Sequence, residues 1–353
     1  MGAPVPSKAL NQRVEQLLHR IRPACHSELR REAVVRYMQA IITSCFHPIT
    51  VYALSFGSVP LKTYLPDGDI DLSIFCPHID STTIKDNWAQ RLHAKLEEEQ
   101  RSPRAPFKIC DVQVIHAEVK LLKLLVDNIV VDISYSQLGG LCALTFLEAI
   151  DLLAVPNHVF KRSIILVKAW CYYESRLLGA HHGLLSTYGL EALVLYIFNL
   201  YHRRISSPLE VLHLFMAEFG SFNWDQYCLS LHGPVPLTSF PDFVVETPEA
   251  LAHDPLMTES MMADCLSKVP ACLLLGSSAG TGLLKPGERP SNNGRSFAIR
   301  CLNIMDPLLP SNNLGRSVSR ANYLRMRRAF AHGSATLEAI LRQVALAVAD
   351  SCV

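Results

Sequence analysis

The chain has 353 residues, of which 49% are hydrophobic and 18% are charged, and its 33 Lys and Arg residues nearly balance its 32 Asp and Glu residues. This composition excludes a disordered or collagen-like chain, and the length predicts two domains. A net charge of +1 also excludes a protein that holds nucleic acid through bulk positive charge. Any polyanion must therefore be bound at local sites or with the help of a partner.

The cysteine pattern and the hydropathy of the chain indicate its cellular compartment. The eleven cysteines are dispersed and form no C-x-x-C pair, which favours reduced thiols over a disulfide framework or a zinc site. Residues 1–6 lack the apolar core of a signal peptide. The most apolar stretch, residues 184–201, is interrupted by polar side chains and predicts a buried helix rather than a membrane span. We expect a cytoplasmic or nuclear protein with no membrane partner.

The first part of the chain is rich in predicted strands. Residues 8–44 have helical periodicity, and a polar-faced helix is predicted over residues 88–100. Asp127-Asn128 predicts a tight turn between the last two strands of this part. The predicted strands lie at residues 49–56, 70–75, 109–115, 119–126 and 129–135.

After Gly139-Gly140 the pattern becomes almost wholly helical. Residues 233–295 are rich in Pro, Gly and Ser and predict a long irregular insertion. The sequence thus predicts an α/β plus all-α protein, with a small mixed-sheet catalytic domain at residues 46–140 and a helical domain formed by residues 1–45 and 141–353. The predicted helices of the second domain lie at residues 141–153, 157–178, 186–203, 208–219 and 321–348.

The candidate site begins with Gly57-Ser58, which is followed after ten residues by Asp69 and Asp71. Side chains alternate along a strand, so Asp69 and Asp71 are predicted to share one face while Ile70 faces a core. Two neighbouring carboxylates repel each other and are costly to keep together unless a divalent cation lies between them.

A third carboxylate, Asp132, lies inside the otherwise apolar strand predicted at residues 129–135. Three converging carboxylates supply the oxygen ligands that two Mg²⁺ (or Mn²⁺) ions need for phosphoryl transfer. Gly57-Ser58 would offer a backbone N–H group and a hydroxyl to substrate phosphates. Taken alone, Asp132 is also compatible with a purely structural role.

Two alternatives apply to the acidic segment. Asp67, Asp69 and Asp71 fit the start of an EF-hand loop, but the required Gly and Glu are replaced by Leu72 and His78. The segment could also be a simple turn that enters a strand, and this interpretation suits Asp67.

Together these residues resemble the nucleotidyltransferase signature of the DNA polymerase beta superfamily. Residues 63–72 (TYLPDGDIDL) are similar to the template-independent poly(A) polymerase and terminal uridylyltransferase branch. Residues 160–189 resemble the central helical domain of that branch, and Asp306-Pro307 with residues 312–317 resembles its nucleotide recognition motif. The chain resembles in particular a plant group that carries the poly(A) polymerase and oligoadenylate synthetase substrate-binding domain.

The resemblance implies roles for individual residues. Asp69 and Asp71 would hold both metal ions, and Asp132 the ion that activates the attacking 3′-hydroxyl. Lys168 would contact the triphosphate and Tyr188 would stack on the base, although a solvated helix charge and a core aromatic remain the alternatives for these two. The implied nucleotide-binding residues are Gly57, Ser58, Lys168, Thr187, Tyr188, Asp306, Asn312, Asn313 and Arg316.

The chain departs from the pattern of the branch at two positions. Many uridylyltransferases have a second lysine one turn after the first, where this chain has Tyr172. Uridine-preferring members also tend to have a histidine where this chain has Asn312. Both departures favour ATP, or a loose choice of nucleotide, over UTP.

The sequence therefore predicts an enzyme that adds nucleoside monophosphates, AMP above all, from NTP to RNA 3′ ends by two-metal transfer. The alternatives are a terminal uridylyltransferase, a synthase of an oligonucleotide messenger, and a catalytically silent RNA-binding scaffold. The near-neutral charge predicts weak RNA binding or a separate RNA-binding protein as a partner. The arginines between residues 316 and 328 would contact RNA phosphates or form a solvated helix face.

Overall fold

The structure, a computed structural model, describes residues 7–77, 82–116, 119–154, 156–267 and 297–350. The chain divides into two compact units. Among the described residues, the sheet unit comprises those within 22–149 and 264–267, and the helical unit comprises those within 7–21, 150–263 and 297–350. Among the described helices, none combines the length and the apolar character that a bilayer span requires.

Strands and helices alternate in the first part of the described chain, and helices dominate the part that follows residue 135. The strands are β1 (Tyr52–Phe56), β2 (Ile70–Phe75), β3 (Ile109–Ile115), β4 (Leu121–Val126), β5 (Ile129–Tyr135), β6 (Tyr227–Ser230) and β7 (Gly233–Pro236). The helices are α1 (Lys8–Ile21), α2 (Cys25–Phe46), α3 (Ser58–Leu61), α4 (Thr82–Arg101), α5 (Leu138–Leu153), α6 (Val159–Ala169), α7 (Thr187–Tyr201), α8 (Pro208–Ser221), α9 (Glu249–His253), α10 (Glu259–Ser267) and α11 (Arg320–Asp350). A π-helical turn, Trp170–Glu174, continues α6.

The sheet unit contains a five-stranded mixed sheet with the order β1-β2-β5-β4-β3. β2 and β5 run parallel, and the other neighbouring strands are antiparallel. The register pairs Phe56 with Asp71 and Asp71 with Asp132. On the other side of β5, Asp132 pairs with Lys123. Four neighbouring strands therefore place these residues in one row across the sheet.

One face of this sheet forms a core with α2 and α4. Ile70 and Leu72 of β2 are buried there together with Met38 of α2 and Trp88 of α4. The alternation predicted for β2 is confirmed, because the apolar residues enter this core while Asp71 between them is only half-buried.

The helical unit is held together by aromatic packing. α11 packs along α8, and Phe330 of α11 meets Phe215 of α8 edge to face with ring centroids 5.3 Å apart. α8 begins with a capping box, in which the Ser207 side chain accepts from the backbone of Glu210 and the Glu210 carboxylate accepts from the backbone of Ser207. The capping box at the start of α8 and the packing of its apolar face against α11 favour the same helix, which explains why its boundaries are predictable.

Several predicted elements are confirmed with their boundaries. The strands at residues 70–75, 109–115 and 129–135 match the structure. Asp127 and Asn128 both have positive φ, 48° and 64°, as a two-residue type I′ hairpin turn requires. The helix predicted over residues 8–44 is divided near Pro23, which lacks the N–H group needed to continue α1.

The predicted irregular insertion is more ordered in its first part than the composition indicates. β7 pairs with β6, and Cys228 and Val235 are buried against Phe297. α9 and α10 follow, and the expectation for residues 268–295 lies outside the described residues. α2 lies in the sheet unit, whereas the sequence pattern groups it with the helical domain. The limits of the functional domains stay a prediction.

We expect His213 of α8 to make the stability of the helical unit sensitive to acid. The side chain is 5% exposed, and its Nε2 atom has no hydrogen-bond partner among the described residues. Burial lowers the pKa of His213, an effect that Glu338 opposes and Arg204 reinforces. Because the unfolded chain then binds the proton more readily, this contribution to stability is complete above the unfolded pKa of about 6.5 and is lost as the pH falls below it.

We predict that a His213→Leu variant loses less thermal stability than the wild type between about pH 7.5 and pH 5.5. The melting temperature at the two pH values, followed by circular dichroism, checks this. His332→Leu, which alters an exposed histidine of α11, is the control and should keep the wild-type pH dependence. Equal losses in the wild type and in His213→Leu would contradict the prediction.

Candidate active site

The register of the sheet brings three carboxylates together. Asp69 lies directly before β2, Asp71 is in β2, and Asp132 is its partner in β5. One oxygen of each carboxylate lies within 4.8 Å of the others. Asp69 and Asp71 are half-buried, and Asp132 is 8% exposed. This places the three predicted metal ligands in a single cluster.

The cluster fits a divalent cation by the chemistry of its donors. All three groups are carboxylates, the oxygen ligands that Mg²⁺ prefers, and their mutual repulsion is relieved when a cation binds. Asp71 and Asp132 are directly paired residues of adjacent strands, so the backbone fixes their separation. A metal bound here would therefore meet a preformed set of ligands.

Gly57 allows the backbone to approach this cluster closely. Its φ of 73° and ψ of −149° fall in a region that is essentially restricted to glycine. A Cβ atom at this position would lie 2.5 Å from Oδ2 of Asp71. Ser58 follows as the first residue of the short helix α3 and is 6% exposed. Gly57 therefore lies beside the Asp71 carboxylate, and Ser58 follows it directly in the chain.

Lys123 is a functional candidate that none of the sequence motifs includes. Its Nζ atom lies 2.8 Å from the carboxylate of Asp132, which it faces across the β4–β5 ladder. A cation at this distance offsets part of the repulsion among the three carboxylates. The signal was present in the sequence, because Lys123 is the single charge in the apolar run of β4, residues 121–126.

A second cluster, the recognition network, lies in the helical unit. It consists of Tyr188, Asp306, Asn312 and Arg316. The Tyr188 hydroxyl donates to Oδ1 of Asp306 over 3.1 Å, and Nδ2 of Asn312 donates to Oδ2 over 2.9 Å. The Oδ1 atom of Asn312 in turn accepts a bond of 2.7 Å from Arg316. Four of the predicted nucleotide-binding residues are thus joined by hydrogen bonds.

Asp306 is the centre of the recognition network. It is 6% exposed and also accepts from the N–H group of Leu308 over 2.9 Å. Burial raises the pKa of Asp306, and the hydrogen bonds from Asn312, Leu308 and Tyr188 oppose that shift. Because its acceptor positions are largely used within the network, Asp306 orients Tyr188 and Asn312 more than it offers free oxygen atoms to a ligand.

Asn313 has a different place from the nucleotide contact that the motif implied. It is 2% exposed, and its Oδ1 atom accepts from the N–H groups of Ile304 and Gly315. Its Nδ2 atom donates to Ala298 O and to Leu302 O among others. Asn313 therefore holds the loop that carries Asn312.

Lys168 and Thr187 are both half-buried, at the end of α6 and at the start of α7. Among the described residues, neither makes a hydrogen bond with the recognition network.

The basic stretch at residues 316–328 is partly engaged in contacts within the chain. Arg327 forms an ion pair with Asp225 over 2.7 Å, and Arg325 donates to the carbonyl of Arg176. Intramolecular contacts thus account for part of this basic stretch.

Two family models match the chain and establish its family. The family model for the PAP/OAS1 substrate-binding domain matches residues 155–352, which is more than half of the chain. The chain belongs to this family. The family model for the central palm domain of the mitochondrial-like poly(A) RNA polymerase matches residues 10–150. The chain is therefore a nucleotidyltransferase of the poly(A) polymerase and terminal uridylyltransferase branch, which acts on RNA 3′ ends, and the resemblance seen in the motifs is confirmed.

Solved structures share this fold over nearly the whole chain. Cid1, described as having RNA terminal uridylyl transferase activity, is 17% identical with a TM-score of 0.63, and the match covers 93% of both chains. Cid1 poly(U) polymerase with Mg²⁺ and 3′-dATP is 18% identical with a TM-score of 0.64 and 94% coverage of both chains. A cytoplasmic RNA terminal U-transferase is 16% identical with a TM-score of 0.60 and 93% coverage of both chains. A comparison with curated protein sequences found no match.

Proposed function

We propose that this enzyme transfers AMP from ATP to the 3′-hydroxyl of RNA, with Asp69, Asp71 and Asp132 as the ligands of two Mg²⁺ ions. The observation that carries the proposal is the convergence of these carboxylates within 4.8 Å of one another, in a chain of this family. A silent scaffold has no physical need for three acidic groups held this close, so we favour an active enzyme.

Each of these residues would have its own role in the transfer reaction. The 3′-hydroxyl of the RNA gives its proton to water, and its oxygen forms a bond with the α-phosphorus. The bond from that phosphorus to the oxygen that bridges it to the β-phosphate breaks, and pyrophosphate leaves. Bound Mg²⁺ would lower the pKa of the hydroxyl and neutralise the leaving group. Asp69 and Asp71 would hold both ions, Asp132 would hold the ion beside the 3′-hydroxyl, and Gly57-Ser58 would contact the phosphates.

The helical unit would supply the groups that bind the nucleotide. Lys168 and Thr187 would contact the triphosphate, and the ring of Tyr188 would stack on the base. The hydrogen bond from Tyr188 to Asp306 supports this role, because it fixes the orientation of the ring before the base arrives. The assignments of Lys168 and Thr187 rest on the motif, and that of Tyr188 rests also on its hydrogen bond to Asp306.

The preference for adenine rests on Asn312. Its amide is oriented from both ends, by Asp306 at Nδ2 and by Arg316 at Oδ1. An asparagine amide presents a donor and an acceptor side by side, the arrangement that suits adenine.

Terminal uridylyl transfer is the second candidate, because solved proteins of this fold are described as terminal U-transferases and poly(U) polymerases. An RNA primer with a free 3′-hydroxyl, incubated with Mg²⁺ and equal amounts of the four NTPs, distinguishes the two once the tails are sequenced. We expect tails of A. Tails of U would overturn the AMP proposal, and products formed without primer would indicate a messenger synthase.

We predict that an Asn312→His variant shifts the ratio of ATP to UTP incorporation towards UTP by about 10-fold. The histidine would remove the donor and acceptor pair that Asp306 and Arg316 orient. The ratio of kcat/KM for the two nucleotides measures the shift. Asn312→Ala is the control, since it should weaken the preference without creating one for UTP, and an unchanged ratio in Asn312→His would contradict the role of this residue.

RNA binding is expected to be weak in the isolated enzyme. The net charge of +1 leaves little bulk attraction for a polyanion, and Arg327 is already paired with Asp225. Short, distributive additions, or a separate RNA-binding partner, agree with this balance.

A further inference from the structure

Arg31 of α2 is a buried cation beside the turn that leads into β2. The residue is 5% exposed. Its Nη2 atom donates to the carbonyl oxygens of Gly68 and Pro66, over 2.8 and 3.3 Å, and its Nη1 atom donates to Oγ of Ser27 over 2.6 Å. The guanidinium group thus connects α2 to the backbone of the turn that immediately precedes Asp69.

The guanidinium plane is also fixed by an aromatic ring. Its central carbon lies 4.3 Å from the ring centroid of Tyr64, which is 2% exposed. Gly68 completes the tight turn, because a Cβ atom there would lie 2.9 Å from Cβ of Tyr64 and 3.0 Å from the carbonyl oxygen of Leu65. Residues 64–68 are therefore held by one helix side chain, one ring and one glycine.

A buried arginine in this position is costly and needs a reason. Among the described residues, no carboxylate lies within ion-pair distance of Arg31, and its Nε atom has no hydrogen-bond partner. Burial lowers the pKa of Arg31, whereas Tyr64, Asp69 and Asp67 act to raise it. The positive charge therefore acts on Asp69 through space, while the direct hydrogen bonds go to the backbone.

We propose that Arg31 is a positioning residue, which holds the turn at residues 65–68 so that Asp69 and Asp71 are placed to bind a divalent cation. The inference rests on the proposed function, since it concerns the same carboxylates. Arg31 would contribute through its hydrogen bonds and through its charge, and the two effects can be tested separately. The fork of donors fixes the path of the backbone into β2, and the charge offsets the repulsion between the acidic side chains.

The test compares Arg31→Met and Arg31→Lys with the wild type. Binding of Mn²⁺ to the nucleotide-free protein is followed by the loss of the free-ion signal in electron paramagnetic resonance. We expect Arg31→Met to weaken Mn²⁺ binding by about 10–100-fold. Arg31→Lys keeps the charge but not the planar fork, so we expect an intermediate loss. The Mg²⁺ concentration for half-maximal primer extension should rise in the same order, while the KM for RNA stays the same.

Arg30→Met is the matched control. Arg30 is the neighbouring residue on α2, it is exposed, and it bonds Asp127 in the β4–β5 turn instead of the acidic segment. It should bind Mn²⁺ as the wild type does. Wild-type affinity in both Arg31 variants, or an equal loss in Arg30→Met, overturns the positioning role. The proposed function fails by a different result, namely that the wild type does not extend a primer at all.

Discussion

Replacing Asp69 and Asp71 together by alanine is expected to lower Mg²⁺-dependent extension of an RNA 3′ end by about 10³-fold or more, because several kcal/mol of transition-state stabilisation are lost with the metal ligands. The two side chains supply two of the three carboxylates that converge within 4.8 Å. The variant should fold, because removing two like charges also removes their repulsion. Initial rates of primer extension at saturating ATP, together with the circular dichroism spectrum, check both parts.

Asp67→Ala is the matched control for this pair. Asp67 is an acidic residue of the same segment, but it is exposed in the turn rather than placed in the cluster. Its replacement should leave the rate within about twofold of the wild type, because Asp67 is not one of the converging carboxylates. Wild-type activity in the double variant would show that the carboxylate cluster is not the catalytic site.

Gly57→Ala is expected to reduce the rate of nucleotide transfer by about 100-fold, because a small displacement of a catalytic group has an effect of that size. The new Cβ would lie 2.5 Å from Oδ2 of Asp71, so this carboxylate must move. The backbone conformation at φ 73° and ψ −149° would add about 1–3 kcal/mol of strain for any residue other than glycine. Steady-state kinetics and thermal unfolding measure the two effects.

Gly139→Ala distinguishes this local effect from a general intolerance of the sheet unit. Gly139 lies in the first turn of α5, and a Cβ atom there would meet nothing within 4 Å. We expect normal kinetics and a stability equal to or above that of the wild type, since alanine favours a helix. If Gly57→Ala behaved like Gly139→Ala, the close approach of Gly57 to Asp71 would have no part in catalysis.

The carboxylate cluster could be predicted from the sequence because its signals are local. Asp69 and Asp71 alternate with buried residues, and the strand of Asp132 has the boundaries that the pattern predicts. The turn at Asp127-Asn128 is also encoded locally, by two residues that tolerate positive φ. Periodicity and turn chemistry therefore determine most of the sheet unit.

The supporting contacts could not be predicted, because they depend on tertiary packing. Arg31 meets Gly68 across 37 residues of sequence, and nothing in the helical pattern of α2 indicates that it packs against the turn. Lys123 faces Asp132 only because the hairpin fixes the register of β4 and β5. Asn313 fits the recognition motif in sequence, yet its amide is used within the loop. A motif identifies residue types, whereas packing decides which side chains remain available to a ligand.

The most direct test of metal-dependent AMP transfer is the extension of two RNA primers by the wild-type enzyme with ATP, one primer ending in a 3′-hydroxyl and the other in a 3′-deoxy nucleotide. Each is incubated with Mg²⁺ or with excess EDTA. We predict that only the 3′-hydroxyl primer grows, that it grows only with Mg²⁺, and that one pyrophosphate is released for each nucleotide added. Growth in EDTA, growth of the 3′-deoxy primer, or no growth under any condition would contradict it.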